Sequence, residues 1–130
     1  LYESAFSFME PWIAAHEKLG HIATRSGSRL PESTPNNLYP TEDDSYIHIT
    51  AMGDAVFRRL AEVMGEPGLA DNPRFCTARA RSEHHAEIDE RIGEWTSAHR
   101  LSELERMLVR AGVPATRIFT IADIFADPHY

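Results

Sequence analysis

The sequence predicts a small α+β domain, or the appendage of a larger α/β domain, in which helices pack on a sheet of few strands. Three observations favour this class. The chain has 130 residues, of which 42% are hydrophobic and 25% charged, and this suits one folded core. From residue 46 onward the hydrophobic spacing gives the order βαααβα, with only two strands. A stretch rich in Gly, Pro, Ser and Asn separates this part from an apolar N-terminal helix.

The first predicted element is a helix from Leu1 to about His16. Its apolar residues recur at helical spacing on one face, namely Leu1, Ala5, Phe8, Met9 and Trp12. Pro11 should kink or shorten this helix, because proline lacks the backbone N–H and its ring clashes with the preceding turn. A terminal helix with so apolar a face is expected to pack against a partner.

Residues 20–45 are predicted to contain no regular element, because Gly, Pro, Ser and Asn occur throughout them. Irregular stretches longer than about 12–15 residues are uncommon in compact domains and usually serve a function or act as linkers. On sequence grounds, this stretch is therefore the best candidate for a site.

A strand is predicted at residues 46–50, where Ile47 and Ile49 alternate with more polar residues. Asp54 is placed to cap the following helix, and Gly65 to end it. The expected inner face of this helix consists of Phe57, Leu60, Ala61 and Met64.

Three further helices and a second strand complete the prediction. Thr77 is expected to cap a long helix that continues to about Ala98. Ser102–Glu105 has the pattern of a capping box, which would open a helix that Gly112 ends. Ala115–Phe119 then forms a strand, and Thr120 caps a last helical turn. The expected core residues of the first two helices are Ile88, Ile92, Trp95, Leu104, Met107, Leu108 and Ala111.

Charge and composition exclude several classes of function. The net charge of −7 and the pI near 5.4 argue against nucleic-acid binding, which needs clustered Lys and Arg. The most basic segment, Arg74–Arg81, is interpreted as solvated surface. No apolar run approaches the roughly 20 residues that span a bilayer. The single cysteine, Cys76, precludes an internal disulfide and indicates a reducing compartment, hence the cytoplasm.

The residues alone do not compose a catalytic apparatus. His84 and His85 are neighbours in a predicted helix and diverge by roughly 100°, so we expect no metal site there. No phosphate-binding glycine loop or nucleophile elbow is present, and Arg25–Ser28 is only a weak approach to the latter. Cys76 is interpreted as a small buried hydrophobic residue.

Five segments nevertheless form a familiar series. They are Pro35–Asp43 (PNNLYPTED), Tyr46–Ile49 (YIHI), Asp54–Leu60 (DAVFRRL), Leu69–Phe75 (LADNPRF) and Ala111–Ala115 (AGVPA). In this order they resemble the family III CoA-transferases, a superfamily that includes carnitine/bile-acid CoA-transferases, formyl-CoA transferases and α-methylacyl-CoA racemases. The likeness extends over essentially the whole chain.

The resemblance implies an organisation. Members pair a large Rossmann-like domain with a small α/β domain, and two chains interlock as a homodimer. Residues 1–22 would then be a helix linking from the large domain, 23–45 a loop or lid, and 46–130 the small domain, truncated at its C-terminus. The chain is accordingly expected to be a fragment.

The resemblance also implies a chemistry, in which an aspartate of the large domain attacks an acyl-CoA thioester and CoA passes to a carboxylic acid. That aspartate would lie upstream of Leu1, so no residue here is expected to be catalytic, and the isolated chain is expected to be inactive. Coenzyme A enters as the acyl-CoA substrate, and no metal is implied.

The lid and substrate candidates are Gly27, Ser28, Asn36, Tyr39 and Thr41. Gly27 lies between two serines where the oxalate-type transferases have a run of glycines, which argues against a formyl or oxalyl substrate. For Tyr39 and Thr41, a packing corner and a pocket role both remain open.

Two alternative functions also fit the sequence. One is an α-methylacyl-CoA racemase or epimerase on the same fold, which the shared segments do not separate from a transferase. The other is a non-catalytic assembly module, for which the apolar face of residues 1–13 is the evidence.

Overall fold

The computed structural model describes residues 2–30 and 32–129 and confirms the α+β class. The helices are α1 (Tyr2–Ser7), α2 (Glu10–Leu19), α3 (Asp54–Val63), α4 (Ala78–Glu83), α5 (His85–Ser97), α6 (Leu101–Arg110) and α7 (Ile121–Ala126), with a 3₁₀ helix at Pro67–Asp71. The strands are β1 (Asn36–Pro40), β2 (Tyr46–Thr50) and β3 (Ala115–Arg117).

The three strands form one antiparallel sheet in the order β1-β2-β3. Leu38 pairs with His48 across the first ladder, and Ile49 pairs with Ala115 across the second. Because side chains alternate between the two faces, Ile47 and Ile49 lie on the core face, where both are fully buried. The opposite face carries Asn36, Leu38, His48, Thr50 and Thr116.

Strand β1 contradicts the prediction that residues 20–45 contain no regular element. All five of its residues pair with β2, from Asn36 opposite Thr50 to Pro40 opposite Tyr46. The asparagines and prolines of this segment are unfavourable for a strand locally, but the ladder with β2 supplies the missing stabilisation. Pro40 is tolerated because it lies at the end of an edge strand.

The core lies between the sheet and helices α3, α5 and α6, with α5 against β1 and α6 against β3. The predicted core residues Phe57, Leu60, Ala61, Ile88, Ile92, Leu104 and Leu108 are buried, and Met64, Trp95 and Ala111 are partly buried around them. The 3.6-residue hydrophobic period thus located the inward faces of these helices correctly.

The N-terminal segment forms two helices where one was predicted. The break lies at Phe8 and Met9, and Pro11 sits in the first turn of α2, where its missing N–H costs no hydrogen bond. Leu1 lies outside the described residues. Most apolar side chains of this segment are exposed, including Tyr2 and Phe8, at 94% and 85%.

The predicted long helix from Thr77 to Ala98 is also divided. Its start is confirmed, because the Thr77 hydroxyl accepts a hydrogen bond from the Ala80 N–H at 3.1 Å. His84 leaves helical geometry, with φ −115° and ψ 29°, and separates α4 from α5. Ring atom Nδ1 of His85 contacts the Ser82 carbonyl oxygen at 3.1 Å, so a side chain competes for the backbone acceptor at the break.

Two predicted helix caps are wrong. Gly53, not Asp54, occupies the cap position of α3, and Asp54 lies in the first turn. Helix α6 begins at Leu101, so Ser102 lies inside it and caps nothing. The Leu101 N–H donates instead to Oδ1 of Asp43, at 3.1 Å, from the turn between β1 and β2.

Other boundaries agree with the prediction. Gly65 and Gly112 follow α3 and α6 with φ of +78° and +65°, the left-handed conformation that glycine adopts without strain. Thr120 and Asp123 form a capping box at the start of α7. Strand β3 ends at Arg117, two residues earlier than predicted, because only three of its residues pair with β2.

Arg81 overturns the interpretation of Arg74–Arg81 as solvated surface, since its side chain is fully buried. Its guanidinium donates to the carbonyl oxygens of Thr34 (3.1 Å), Phe75 (2.8 Å) and Met52 (2.6 Å). It also donates to Oδ1 of Asp54 at 2.8 Å. Arg81 is buried because every part of its charge has a partner. Cys76, expected to be buried, is only half-buried.

Over residues 2–30 and 32–129, no helix is both long and apolar enough to cross a membrane.

Candidate functional site

The candidate site is the loop between α2 and β1 together with β1 itself. The tip of this loop is a tight turn from Ser26 to Arg29, in which the Arg29 N–H donates to the Ser26 carbonyl (3.4 Å) and the Ser26 hydroxyl to the Arg29 carbonyl (2.9 Å). Gly27 has φ +67°, and apart from its own chain neighbours no described atom lies within 4 Å of where a Cβ would be. The turn needs glycine for its backbone conformation, while the space beside it is open.

Ser28 connects the loop tip to β1. Its hydroxyl donates to Oδ1 of Asn37 at 2.6 Å, and Nδ2 of Asn37 donates to Oδ2 of Asp89 on α5 at 3.3 Å. The other oxygen of Asp89 accepts from the Tyr39 hydroxyl at 2.6 Å. Two predicted residues, Ser28 and Tyr39, are therefore linked through Asn37 and Asp89, neither of which was predicted.

Asn36 faces the opposite side of β1, on the sheet face that carries His48 and Thr50. Its Oδ1 lies 2.8 Å from Nε2 of His48 and accepts from the Thr50 hydroxyl at 3.4 Å. Since an amide oxygen only accepts, Nε2 of His48 is the donor in this hydrogen bond. Asn36 and His48 thus form a polar pair on the half-buried face of the sheet.

Tyr39 is buried, with 2% of its side chain exposed. Burial raises the pKa of its hydroxyl far above the ordinary value, and the negative charge of Asp89 raises it further. The hydroxyl therefore stays protonated and donates to Asp89. These contacts account for Tyr39 in a packing role, and a pocket role for it stays a prediction.

Thr41 belongs to the turn between β1 and β2. Its hydroxyl donates to Oδ1 of Asp43 at 2.6 Å and accepts from the Ser45 N–H at 3.2 Å. The hydrogen bond from Thr41 and that from the Leu101 N–H lower the pKa of Asp43, because both stabilise the carboxylate. These contacts fix the turn and the start of α6.

The loop tip carries positive charge in a chain that is acidic overall. Arg25 and Arg29 flank Gly27 and Ser28 and, among the described residues, neither forms an ion pair with a carboxylate. Most other arginines described are paired, for example Arg58 with Asp71 at 2.9 Å. Both loop guanidiniums are therefore available to an anionic ligand.

In the part of the chain that the structure describes, no three His, Cys, Asp or Glu side chains are grouped so as to hold a metal ion. The functional side chains around the loop are hydroxyls, amides, a half-buried carboxylate and two guanidiniums. Such groups bind and orient anionic or carbonyl substrates through hydrogen bonds and charge.

Comparison with known proteins places these observations in context. The sequence model of CoA-transferase family III matches residues 1–130. The chain is 44% identical over 130 residues to a succinyl-CoA–D-citramalate CoA-transferase of Chloroflexus aurantiacus, covering 100% of this chain and 32% of that protein. It is 29% identical over 130 residues to the beta subunit of a succinyl-CoA–L-malate CoA-transferase of the same organism, covering 99% and 32%.

A solved structure agrees with the fold. A CaiB/BaiF family protein from Brucella suis superimposes with a TM-score of 0.79 at 30% sequence identity, covering 93% of this chain and 32% of that one. The chain therefore spans about a third of the length of the proteins that it matches.

Proposed function

Because this chain belongs to CoA-transferase family III, we propose that it is the small-domain part of an enzyme that transfers CoA from an acyl-CoA thioester to a carboxylic acid. The family match over all 130 residues is the observation that carries the proposal, and it confirms the resemblance found in the sequence. The 44% identity to a named CoA-transferase supports it further.

The reaction proceeds through a carboxylate nucleophile that lies outside residues 1–130. That aspartate attacks the thioester carbonyl and the C–S bond breaks. CoA departs as a thiolate, and the acyl group is joined to the aspartate in a mixed anhydride. The thiolate then attacks the aspartyl carbonyl, which releases the donor acid and forms an aspartyl-CoA thioester. The acceptor carboxylate attacks this thioester and expels CoA thiolate, which gives a second mixed anhydride. The thiolate then attacks the acceptor's carbonyl in that anhydride, so the new acyl-CoA forms and the aspartate is regenerated.

The substrates are proposed to be succinyl-CoA and a short hydroxydicarboxylic acid. The two relatives from Chloroflexus aurantiacus are named for succinyl-CoA with D-citramalate and with L-malate. Such acids keep a second carboxylate when one is bound as a thioester. Arg25 and Arg29 give the loop a positive charge that complements that group.

The chain contributes a lid over the acyl end of the substrate, formed by residues 23–45 with Gly27, Ser28 and Asn36 as its contact residues. Residues 1–22 link it to the rest of the protein, and 46–130 form the small domain. A lid is needed because water would hydrolyse the anhydride and thioester intermediates. The open space beside Gly27 supports this role, since the loop backbone can approach a ligand closely there.

The intact protein is proposed to be an interlocked homodimer in the cytoplasm. The exposed apolar side chains of α1 and α2, such as Phe6 and Leu19 at 61% and 81%, favour extensive contact with further protein. One relative is named as a beta subunit, so native mass spectrometry of the purified protein should distinguish a single subunit type from two. The single cysteine is consistent with a reducing compartment.

The test uses the intact protein that contains this chain, incubated in deuterated water with succinyl-CoA and a labelled acceptor acid. We expect the label to appear in a new acyl-CoA, detected by mass spectrometry. Deuterium at the α-carbon of the acyl group without transfer of label would instead establish the alternative, a racemase or epimerase. Residues 1–130 alone should show neither reaction, because they lack the nucleophile.

A further inference from the structure

The loop before β1 has a firmly held base and a loosely held tip. At the base, the Thr34 carbonyl accepts from buried Arg81 at 3.1 Å, and the Pro35 carbonyl accepts from the Ala51 N–H at 2.9 Å. The base extends to Leu30, whose N–H donates to the Asn36 carbonyl of β1 at 3.2 Å. Beyond it, the Ser28 hydroxyl joins the tip to Asn37 of β1 at 2.6 Å. Ser28 is exposed, so water competes for this bond, and the tip can open about a base that ends at Leu30.

The orientation of the Asn37 amide decides whether Ser28 can bind. Two donors converge on Oδ1 of Asn37, namely the Ser28 hydroxyl at 2.6 Å and the Leu38 N–H at 2.9 Å. If the amide were rotated by half a turn, its NH₂ group would face the Leu38 N–H, and two donors would oppose each other.

Asp89 fixes that orientation from the other side. An ionised carboxylate only accepts hydrogen bonds, so Oδ2 of Asp89 requires the NH₂ group of Asn37, which it meets at 3.3 Å. The second oxygen is held by the Tyr39 hydroxyl at 2.6 Å, and Tyr39 is itself buried. Because Asn37 and Tyr39 are two apart in β1, both point to the same side and reach one carboxylate.

We propose that Asp89 is a positioning residue for the loop, which sets the Asn37 amide so that it accepts from Ser28 and holds the tip against β1. In this series of hydrogen bonds, the one from buried Tyr39 to Asp89 stays formed, whereas the one from exposed Ser28 to Asn37 breaks and re-forms. The consequence for acyl transfer rests on the proposed function: the closed tip would shield the acyl intermediates from water. The contact itself is independent of that function.

The experiment compares Asp89→Asn and Ser28→Ala with the unchanged intact protein by limited trypsin digestion under native conditions. Trypsin cleaves after Arg25 and Arg29, which flank the tip. Loss of one exposed hydrogen bond should raise the rate of cleavage at these two sites by about fivefold in each variant. The double variant should be cleaved no faster than either single variant, because both changes break the same connection.

Asp44→Asn is the matched control, since it removes the same charge from an exposed residue in the turn between β1 and β2. Its cleavage rates should equal those of the unchanged protein. Equal cleavage of Asp89→Asn and the unchanged protein would overturn the proposal. So would independent effects that multiply in the double variant, or faster cleavage throughout the chain, which would indicate general loss of structure.

Activity gives a separate result. On the proposed function, both variants should release more free CoA from succinyl-CoA without acceptor acid, relative to the rate of transfer. If the intact protein transfers no CoA, the proposed function fails while the cleavage rates still decide the role of Asp89. If transfer occurs and the cleavage rates do not change, the role of Asp89 fails alone.

Discussion

The guanidinium carbon of Arg81 lies 4.6 Å from the centroid of the Phe57 ring, inside the hydrophobic core. Both side chains are almost completely buried. The charge is tolerated because the aromatic face attracts it and because carbonyl oxygens from three segments surround it. Arg81 therefore joins the base of the loop at Thr34 to the segments at Met52 and Phe75.

Replacement of Arg81 should destabilise the fold severely. In Arg81→Leu, three backbone carbonyls lose their donor, and we expect the free energy of unfolding to fall by about 3–5 kcal/mol. Arg81→Lys should lower the free energy of unfolding by less than Arg81→Leu, because lysine keeps the charge and some donors. It should still lower it, because lysine lacks the planar fork of the guanidinium. Urea denaturation measures both changes.

Asp54→Asn provides the comparison for Arg81. The Asp54 side chain is 61% exposed, so its ion pair with Arg81 is screened by water and its loss should cost less than about 1 kcal/mol. The opposite order would be a large loss in the free energy of unfolding for Asp54→Asn and a small one for Arg81→Leu. It would contradict the assignment of stability to the buried carbonyl contacts.

Tyr39 should make the protein sensitive to alkali. Burial and Asp89 raise the pKa of its hydroxyl in the folded state above the unfolded value of about 10. Below pH 10 the contribution of this group to stability is fully present. Above it, the unfolded state loses the proton while the folded state keeps it, so stability falls by about 1.4 kcal/mol for each further pH unit.

The measurement is the urea midpoint of the intact protein at about pH 9 and about pH 11. Tyr39→Phe should cost about 1–2 kcal/mol at neutral pH, since Asp89 loses a donor, and should then lose less stability between the two pH values. Tyr46→Phe is the control, because that side chain is 55% exposed. The same alkaline loss in Tyr39→Phe as in the unchanged protein would rule out Tyr39 as its source.

The elements that the sequence predicted well are those whose stabilisation is local and periodic. Helices α3 and α6 were located by apolar residues at helical spacing, and β2 by the alternation around Ile47 and Ile49. Strand β1 was missed because its segment is rich in Asn and Pro, and only the ladder with β2 makes it a strand. Pairing between segments leaves little trace in the composition of either one.

The connections of the candidate site could not be predicted from the sequence. The long stretch before β1 indicated Gly27 and Ser28 as candidates, and their part in a site stays a prediction. The role of Asn37 depends on Asp89, which lies 52 positions further along the chain. Arg81 was misread for the same reason, since the carbonyls that surround it come from distant loops. Partners so far apart in sequence are brought together only by the fold.

Asp43 should contribute to stability at neutral pH and lose that contribution in acid. Its carboxylate accepts from the Thr41 hydroxyl and from the Leu101 N–H at the start of α6, and these bonds lower its pKa in the folded state. The contribution is therefore present above the unfolded pKa of about 3.9 and is lost as the pH falls through the lower folded value.

We expect Asp43→Asn to lower the urea midpoint at about pH 7, because an amide is a weaker acceptor at a helix N-terminus. At about pH 3 the variant and the unchanged protein should differ less. Asp44→Asn, one residue away, should have no comparable effect on α6. This mechanism would be contradicted if the urea midpoints of Asp43→Asn and the unchanged protein differed more in acid than at neutral pH.

Gly27 should be needed for the loop to form its turn and, on the proposed function, to protect the acyl intermediates. With φ +67°, an alanine at this position is strained by about 1–2 kcal/mol although space is available for its methyl group. In the intact protein without acceptor acid, Gly27→Ala should release more free CoA, measured with a thiol reagent. The ratio of this release to the rate of transfer should rise several-fold.

Gly68→Ala is the matched control, because Gly68 also has open space for a Cβ but lies in a 3₁₀ helix without a positive φ. Its ratio of CoA release to transfer should equal that of the unchanged protein. An unchanged ratio in Gly27→Ala, with transfer intact, would show that the turn at Gly27 does not cover the reacting acyl group.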